Sequence, residues 1–325
     1  MNTLAVGIDV GGTKMSCVVT DSADSLLHKD VATTNTGALT AQIVDLARTA
    51  IARTEPDAIT AIGICMPGQV EPRRGTAELA VNLGAPDIDI GPTVQSETGL
   101  PCFVEHDARA AGTWVFEQRH RAQSGAQSDL CYLSVGTGIA AAVFIDGRVL
   151  RGQTGLAGEV GHIVVDPSGR TCPCGSTGCL ETVAAGPAIA RAARDAAASG
   201  RPTRLTKAST AVDLFEAAAA GDEMAAEIAS RLGEHLARAV RGLVMTLGVQ
   251  RIVIGGGVAG GGEAFLQPIK QALAVERRKS ALVETAFAGT SLELLPPDLE
   301  PGARGAAAIA RQRLAARQGE GVAAQ

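Results

Sequence analysis

At 325 residues the chain is long enough for two domains of roughly 150 residues each, and with 46% hydrophobic against 19% charged residues it is composed to fold rather than stay disordered. A net charge of -5 excludes a binder of phosphate backbones, and an aromatic content of 2% excludes a stacking platform for single-stranded nucleic acid. The start, MNTLAVGIDVGGTK, is interrupted by Asp9 and Lys14 and lacks the profile of a secretory signal, and the apolar run Ile139 to Ile145 is far too short for a bilayer, so the expected location is the cytoplasm with no membrane partner.

The first element, LAVGIDVGGTKMSCVVTD from Leu4, reads as an apolar strand, a glycine turn and a second apolar strand closing at Asp21. The segment LCYLSVGTGIAAAVFIDG from Leu130 repeats it without a gap, Gly11 aligning with Gly136, Thr13 with Gly138 and Asp21 with Asp146. One hairpin used twice suggests two related lobes. Between the copies, Leu39 to Thr54 has helical spacing and precedes the strand AITAIGICMPG, which ends in a Pro-Gly turn. The strand PCFVEHD then runs into the helical pattern ARAAGTWVFEQRHRA. After the second hairpin come a long alanine-rich helical region from Gly186 to Gly248, the strand RIVIGGG, a helix from Glu263 to Val275, and a last helix, PGARGAAAIARQRLAA. Strands alternating with helices predict an α/β fold of mainly parallel or mixed sheets flanked by helices.

Three strands end in glycine turns: DVGGTK, SVGTG and GGGVAGGG. Such turns let consecutive N–H groups converge on an anion, although each alone is equally a tight turn. A dinucleotide-binding fingerprint is not supported. The match at Gly136, Gly138 and Ala141 is followed by a strand rather than a helix, and the match at Gly255, Gly257 and Gly260 lacks an acidic residue at the expected distance.

Of seven cysteines, Cys17, Cys65, Cys102 and Cys131 sit in apolar segments and read as small buried hydrophobes. The others cluster: His162, Cys172, Cys174 and Cys179 offer the four N and S ligands of a tetrahedral zinc site, with Gly175 and Gly178 bending the chain between them. No C-x-x-C redox pair is present. Four protein ligands leave no place for water, so the zinc is expected to be structural. Pinning this loop also fixes Glu159 and Glu181, which are either surface charges or hydrogen-bond acceptors for a ligand. Asp107, at the end of PCFVEHD, suits two roles: a helix N-cap, or a base that accepts a proton from an alcohol.

The strings DVGGTK, EHDARAA, SVGTGI, GLAGEVGHIVVD, CPCGSTGCLET and IVIGGGVAGGG, in this order, resemble the ROK family of repressors and sugar kinases, a branch of the sugar-kinase, heat-shock and actin ATPase superfamily. The similarity spans essentially the whole chain. It implies two actin-like (ribonuclease H-like) lobes with a cleft between them, residues 1–112 plus 301–325 and residues 113–300. It also implies a homodimer using ATP, Mg2+ and a structural Zn2+ to phosphorylate the 6-hydroxyl of a hexose, most simply as a glucokinase. N-acetylglucosamine and N-acetylmannosamine kinases share these motifs, and some members are non-catalytic sugar sensors. Repressor members carry a helix-turn-helix before the first turn, and with a strand starting at Leu4 none is expected here.

By this resemblance Asp107 is the base; Gly68, Asn82, His106, Glu159, His162 and Glu181 join it around the sugar; and His162 serves the zinc as well. The nucleotide falls to Asp9, Gly11, Gly12, Thr13 and Lys14, to Gly136, Thr137 and Gly138, and to Gly256 and Gly257, with Asp9 nearest Mg2+. One departure stands out: His106 occupies a position where most family kinases have asparagine, which bears on the identity of the sugar more than on the reaction type.

Overall fold

The computed structural model describes residues 3–55, 58–80, 85–122 and 129–323. The chain divides into two compact units: residues 1–126 with 151–157 and 299–325, and residues 127–150 with 158–298.

In the first unit the hairpin β1 (Leu4–Val10) and β2 (Lys14–Thr20) is extended by β3 (Leu26–Thr33). Helix α1 (Leu39–Ala52) carries the chain to β4 (Ile59–Met66). A small antiparallel sheet follows, β5 (Gln69–Glu71), β6 (Thr76–Ala80) and β7 (Ala85–Ile88), which the sequence reading did not anticipate. Then α2 (Ile90–Thr98) leads to β8 (Cys102–His106) and directly into α3 (Asp107–Ala122). The main sheet has the order β3-β2-β1-β4-β8, antiparallel through the hairpin and parallel from β1 to β8. An expected lobe boundary at residue 112 falls within α3, and this helix stays with the first unit.

The second unit repeats the scheme. Its strands are β9 (Leu130–Val135), β10 (Ile139–Ile145) and β11 (Arg148–Val149). A loop and the one-turn helix α4 (Glu181–Ala184) precede α5 (Gly186–Ala198), α6 (Ala211–Ala219) and α7 (Glu223–Leu247). Next come β12 (Arg251–Gly255), α8 (Gly262–Lys279), α9 (Ala281–Ala286) and β13 (Ser291–Leu294). The order β11-β10-β9-β12-β13 again sets two parallel strands beside a hairpin. The final helix, α10 (Pro301–Ala323), returns to the first unit.

The alanine-rich helical region is made of three helices. Gly200 and Gly221 take φ of 76° and 84°, a left-handed geometry that stops a helix, and two caps restart it. Thr210 and Asp213 form a reciprocal capping box at α6, and Asp222 caps α7 by accepting the Ala225 N–H at 3.0 Å. Helical spacing alone does not reveal these breaks, since alanine marks no face. The gapless alignment of the two hairpins needs a correction. Val10 pairs with Met15 but Val135 pairs with Ile139, so the second turn is one residue shorter and Gly138 answers Lys14 rather than Thr13.

Each sheet buries an aliphatic core. In the first unit Val6, Ile8, Ile62 and Ile64 pack with Ile43 of α1, while the other side of the sheet receives α10 through alanines and glycines. Gly7 and Gly63 lie so close to α10 that a Cβ on either would overlap the carbonyl oxygen of Ala303 or Ala306.

Candidate functional site

The turn from Asp9 to Lys14 closes with the Gly11 N–H donating to the Lys14 carbonyl at 3.0 Å. Thr34, just past β3, braces it from outside: its hydroxyl donates to the Gly11 carbonyl at 2.6 Å and its N–H to the Thr13 carbonyl at 3.0 Å. Gly12, Thr13 and Lys14 are exposed, so the turn offers backbone N–H groups to solvent from a fixed base. Asp9 is partly covered. Burial first, and then the charge of Asp107 with that of Glu300, outweigh Lys14 and the Cys65 thiol, which donates to Asp9 at 3.4 Å, and lift the Asp9 pKa to about 7. Cys65 thus packs as expected yet does more than fill space.

Asp107 is the first residue of α3 and its side chain is 42% exposed. One oxygen accepts the N–H of the adjacent Ala108 at 2.6 Å and lies 3.2 Å from Nδ1 of His106, whose side chain is 8% exposed. An N-cap would take the N–H two or three residues on, so the bond to Ala108 is not a cap. Gly68, between β4 and β5, has φ 105° and can be replaced only with strain. Asn82 lies outside the described residues.

In the second unit the Gly136 N–H donates to the Gly138 carbonyl at 2.9 Å, and the Gly136 carbonyl accepts the Gly186 N–H at 2.8 Å. A Cβ on Gly138 would stand 3.3 Å from Oε2 of Glu181, and one on Gly136 would stand 3.7 Å from the Gly257 nitrogen. The second turn, the third turn and one candidate sugar carboxylate therefore converge. Gly256, at φ 92°, presses on the backbone of Val135 and holds the third turn against β9.

The cysteine loop brings its four candidate ligands together. The ligand atoms of His162, Cys172, Cys174 and Cys179 all lie within 4.8 Å of one another. Cys174 and Cys179 sulfurs are 3.7 Å apart, too far for a disulfide, and Nδ1 of His162 is 3.6 Å from the Cys172 sulfur. Two thiolates on one tetrahedral zinc stand about 3.8 Å apart, and a thiolate and an imidazole nitrogen about 3.6 Å, so the donor set fits zinc in kind and spacing. The loop itself is shaped by turns: Cys172 N–H to Ser176 carbonyl at 2.7 Å, and Val165 N–H to Gly178 carbonyl at 2.9 Å. Glu181 is tied to this cluster, with Oε1 3.4 Å from the Cys172 sulfur and 3.8 Å from Nδ1 of His162. Glu159 opens the short turn Val160–His162, where Gly158 and Gly161 press against the backbone of β10 at Ala141 and Ile139.

Sequence reasoning missed two charged groups beside these residues. Glu105 is buried, and its carboxylate receives Arg109 at 2.9 Å, Arg151 at 2.6 Å and Arg313 at 2.7 Å. Burial raises its pKa, but the hydrogen bond and charge of Arg151, with Arg109 and Arg313, hold it down at about 2. Glu300, with φ 49°, bonds Lys29 at 2.5 Å and adds to the charge around Asp9. The acid in EHD next to Asp107 was a visible signal for the first. For the second the signal was an acid directly before the Pro-Gly start of a helix.

The sequence model of the ROK family matches residues 5–313. A glucokinase of Halalkalibacterium halodurans is 36% identical over 280 residues, 82% of this chain and 84% of that one. An N-acetylmannosamine kinase of Citrobacter koseri is 34% identical over 281 residues, 85% of this chain and 90% of that one. Among solved structures, a ROK family glucokinase from Streptomyces griseus in complex with glucose and AMPPNP superposes with a TM-score of 0.77 and 28% identity, covering 95% of this chain and 99% of that one. The match of the family model over nearly the full length, the order of the motifs and the shared fold together establish that this chain belongs to the ROK family.

Proposed function

We propose that the protein is an ATP-dependent hexose kinase that phosphorylates the 6-hydroxyl of glucose or a closely similar sugar in the cytoplasm. The observation that carries this reading is Asp107: an exposed carboxylate beside a buried imidazole, in the unit that also holds the Asp9 turn, and not used as a helix cap. A sugar sensor has no need of such a group. In the reaction the sugar oxygen attacks the terminal phosphorus of ATP, the bond to the ADP oxygen breaks, and the hydroxyl proton passes to Asp107.

Glu159, Glu181 and the ring nitrogen of His162 not facing the thiols are the acceptors and donor for the remaining hydroxyls, with Gly68, Asn82 and His106 as further contacts. His106 reaches differently from an asparagine amide, so its neighbouring hydroxyl is the one on which sugar preference turns. The turns at Gly11–Lys14, Gly136–Gly138 and Gly256–Gly257 supply N–H groups to the phosphates. Mg2+ supplies charge neutralisation, and Asp9 is the carboxylate suited to face it. Zinc, held by His162, Cys172, Cys174 and Cys179, fixes the loop that carries Glu181 and takes no part in the chemistry. No helix of the described residues is long and apolar enough to cross a membrane.

A coupled assay of ADP release across glucose, mannose, N-acetylglucosamine and N-acetylmannosamine tests the proposal. Glucose is expected to give the highest kcat/KM. A clear preference for N-acetylmannosamine, as the name of the Citrobacter relative suggests, would move the assignment to an amino-sugar kinase, and no ADP release with any sugar would end it.

A further inference from the structure

The first unit contains a cavity of about 960 Å3 whose walls include Arg73, Arg74, Arg109, Arg151, Arg313 and Arg317. None of its lining residues is a proposed ligand of the hexose or of ATP. Three of these guanidiniums, the buried Arg109 and the partly exposed Arg151 and Arg313, share the single carboxylate of Glu105, so the cluster is left with two positive charges in excess. Arg73, Arg74 and Arg317 are exposed and form no ion pair with any described residue; Arg317 lies over the Phe103 ring, 4.6 Å from its centroid. The acids that line the cavity, Glu71 and Glu78, do not balance them. Burial together with the charges of Arg151, Arg109 and Arg317 lowers the pKa of Arg313 despite Glu105, a sign of crowded cations. Arg151 also keeps Nη1 enclosed without a hydrogen-bond partner among the described residues. Crowding like charges and enclosing an unmet donor cost stability, and an oxyanion removes both costs at once.

We propose that this cavity is a binding site for a phosphorylated sugar. A phosphate dianion matches paired guanidinium forks, and it offsets the positive excess better than a single carboxylate does. The volume is that of a small-molecule site rather than a macromolecular groove. The cavity also presents neutral polar groups, Gln69, Gln153 and Thr154, which suit the hydroxyls of a sugar. The choice of a sugar phosphate rests on the kinase reading, since it is the class of molecule that reaction releases; the oxyanion site itself does not depend on turnover. Through Glu105 the site adjoins His106 and Asp107 on the same stretch of chain, so its occupancy is in a position to report product level to the reacting end of β8.

Calorimetric titration of the full chain with glucose 6-phosphate, without ATP, tests this. Arg74→Ala with Arg317→Ala removes two exposed cations and is expected to weaken binding at least tenfold while glucose binding, the control for folding, is unchanged. Glu159→Ala with Glu181→Ala is expected to abolish glucose binding and keep the sugar-phosphate site. Binding that ignores the arginine substitutions and is lost with the glutamates would overturn the proposal. So would inorganic phosphate or ATP binding to the arginine cavity as tightly as glucose 6-phosphate. Because no catalysis is measured, loss of the kinase reading would leave this result interpretable.

Discussion

The two units share a strand order but not a way of covering it. In the first, glycines at Gly7 and Gly63 let α10 come down onto β1 and β4 until backbone touches backbone, and Gly305 on the same helix does likewise against Ala110 of α3. In the second, Tyr132 stands at the aligned position of Gly7, fully buried, and the helices pack through Leu236, Val240, Phe265 and Ile269. The close approach has a consequence for chemistry. At Gly302 the first turn of α10 lies against the Asp9 carboxylate, so near that a Cβ there would overlap it. The same topology thus yields a charged turn under a helix start in one unit, and in the other a neutral turn, with Ser134 at the aligned position of Asp9 and Glu181 reaching in from α4.

The sharpest way to break this asymmetry is at Asp107. Asp107→Asn keeps the shape and removes the base, and kcat is expected to fall by about 10²- to 10⁴-fold with hexose affinity unchanged in a binding titration. Turnover within a few-fold of the parent would take Asp107 out of the mechanism. Next in size is the packing. Gly63→Val places side-chain atoms where the Ala306 carbonyl sits, and since no rotamer relieves a clash with backbone, a loss of about 3 kcal/mol or failure to fold is expected. Thermal unfolding checks it, and a near-parental Tm would show that α10 can shift at little cost.

How much of this was legible beforehand follows from which signals are local. Repeated hairpins, the Cys3His spacing and the Pro-Gly and Gly-rich turns are written in short strings, and the ligand cluster at His162, Cys172, Cys174 and Cys179 came together as expected. The division of the stretch between Gly186 and Gly248 depended on stops at Gly200 and Gly221 and on caps such as Thr210 with Asp213, which helical spacing alone does not register. Glu105 was legible only in part, as an acid in EHD with Arg109 four residues on. Arg151 and Arg313 come from distant parts of the chain, and only the fold adds these two cations to the same acid.

The cysteine loop gives an intermediate effect, confined to the second unit. One zinc per chain is expected on metal analysis, and Cys172→Ser is expected to release it and raise the KM for hexose roughly tenfold, because the loop that leads into Glu181 loses its clamp while Asp107 is untouched. A folded, active protein without zinc would refute the site. Gly138→Ala probes the same carboxylate from the other side: its new Cβ, 3.3 Å from Oε2 of Glu181, is expected to raise KM a few-fold with little change in Tm.

The smallest effect separates the charged turn from the neutral one by pH. Asp9 has a pKa of about 7 in the folded protein against an ordinary 3.8, so between these values the folded chain holds a proton that the unfolded chain has released. Stability contributed at this position is therefore greatest below pH 3.8, declines as pH rises to 7, and is level above it. Asp9→Asn removes the titrating group. Its Tm, measured against the parent from pH 4 to 8.5, is expected to gain steadily up to pH 7 and then run parallel, whereas Ser134→Ala in the neutral turn is expected to give an offset independent of pH. A constant offset for Asp9→Asn as well would mean that the helix start and the Cys65 thiol already compensate the carboxylate, and that the two turns differ in shape alone.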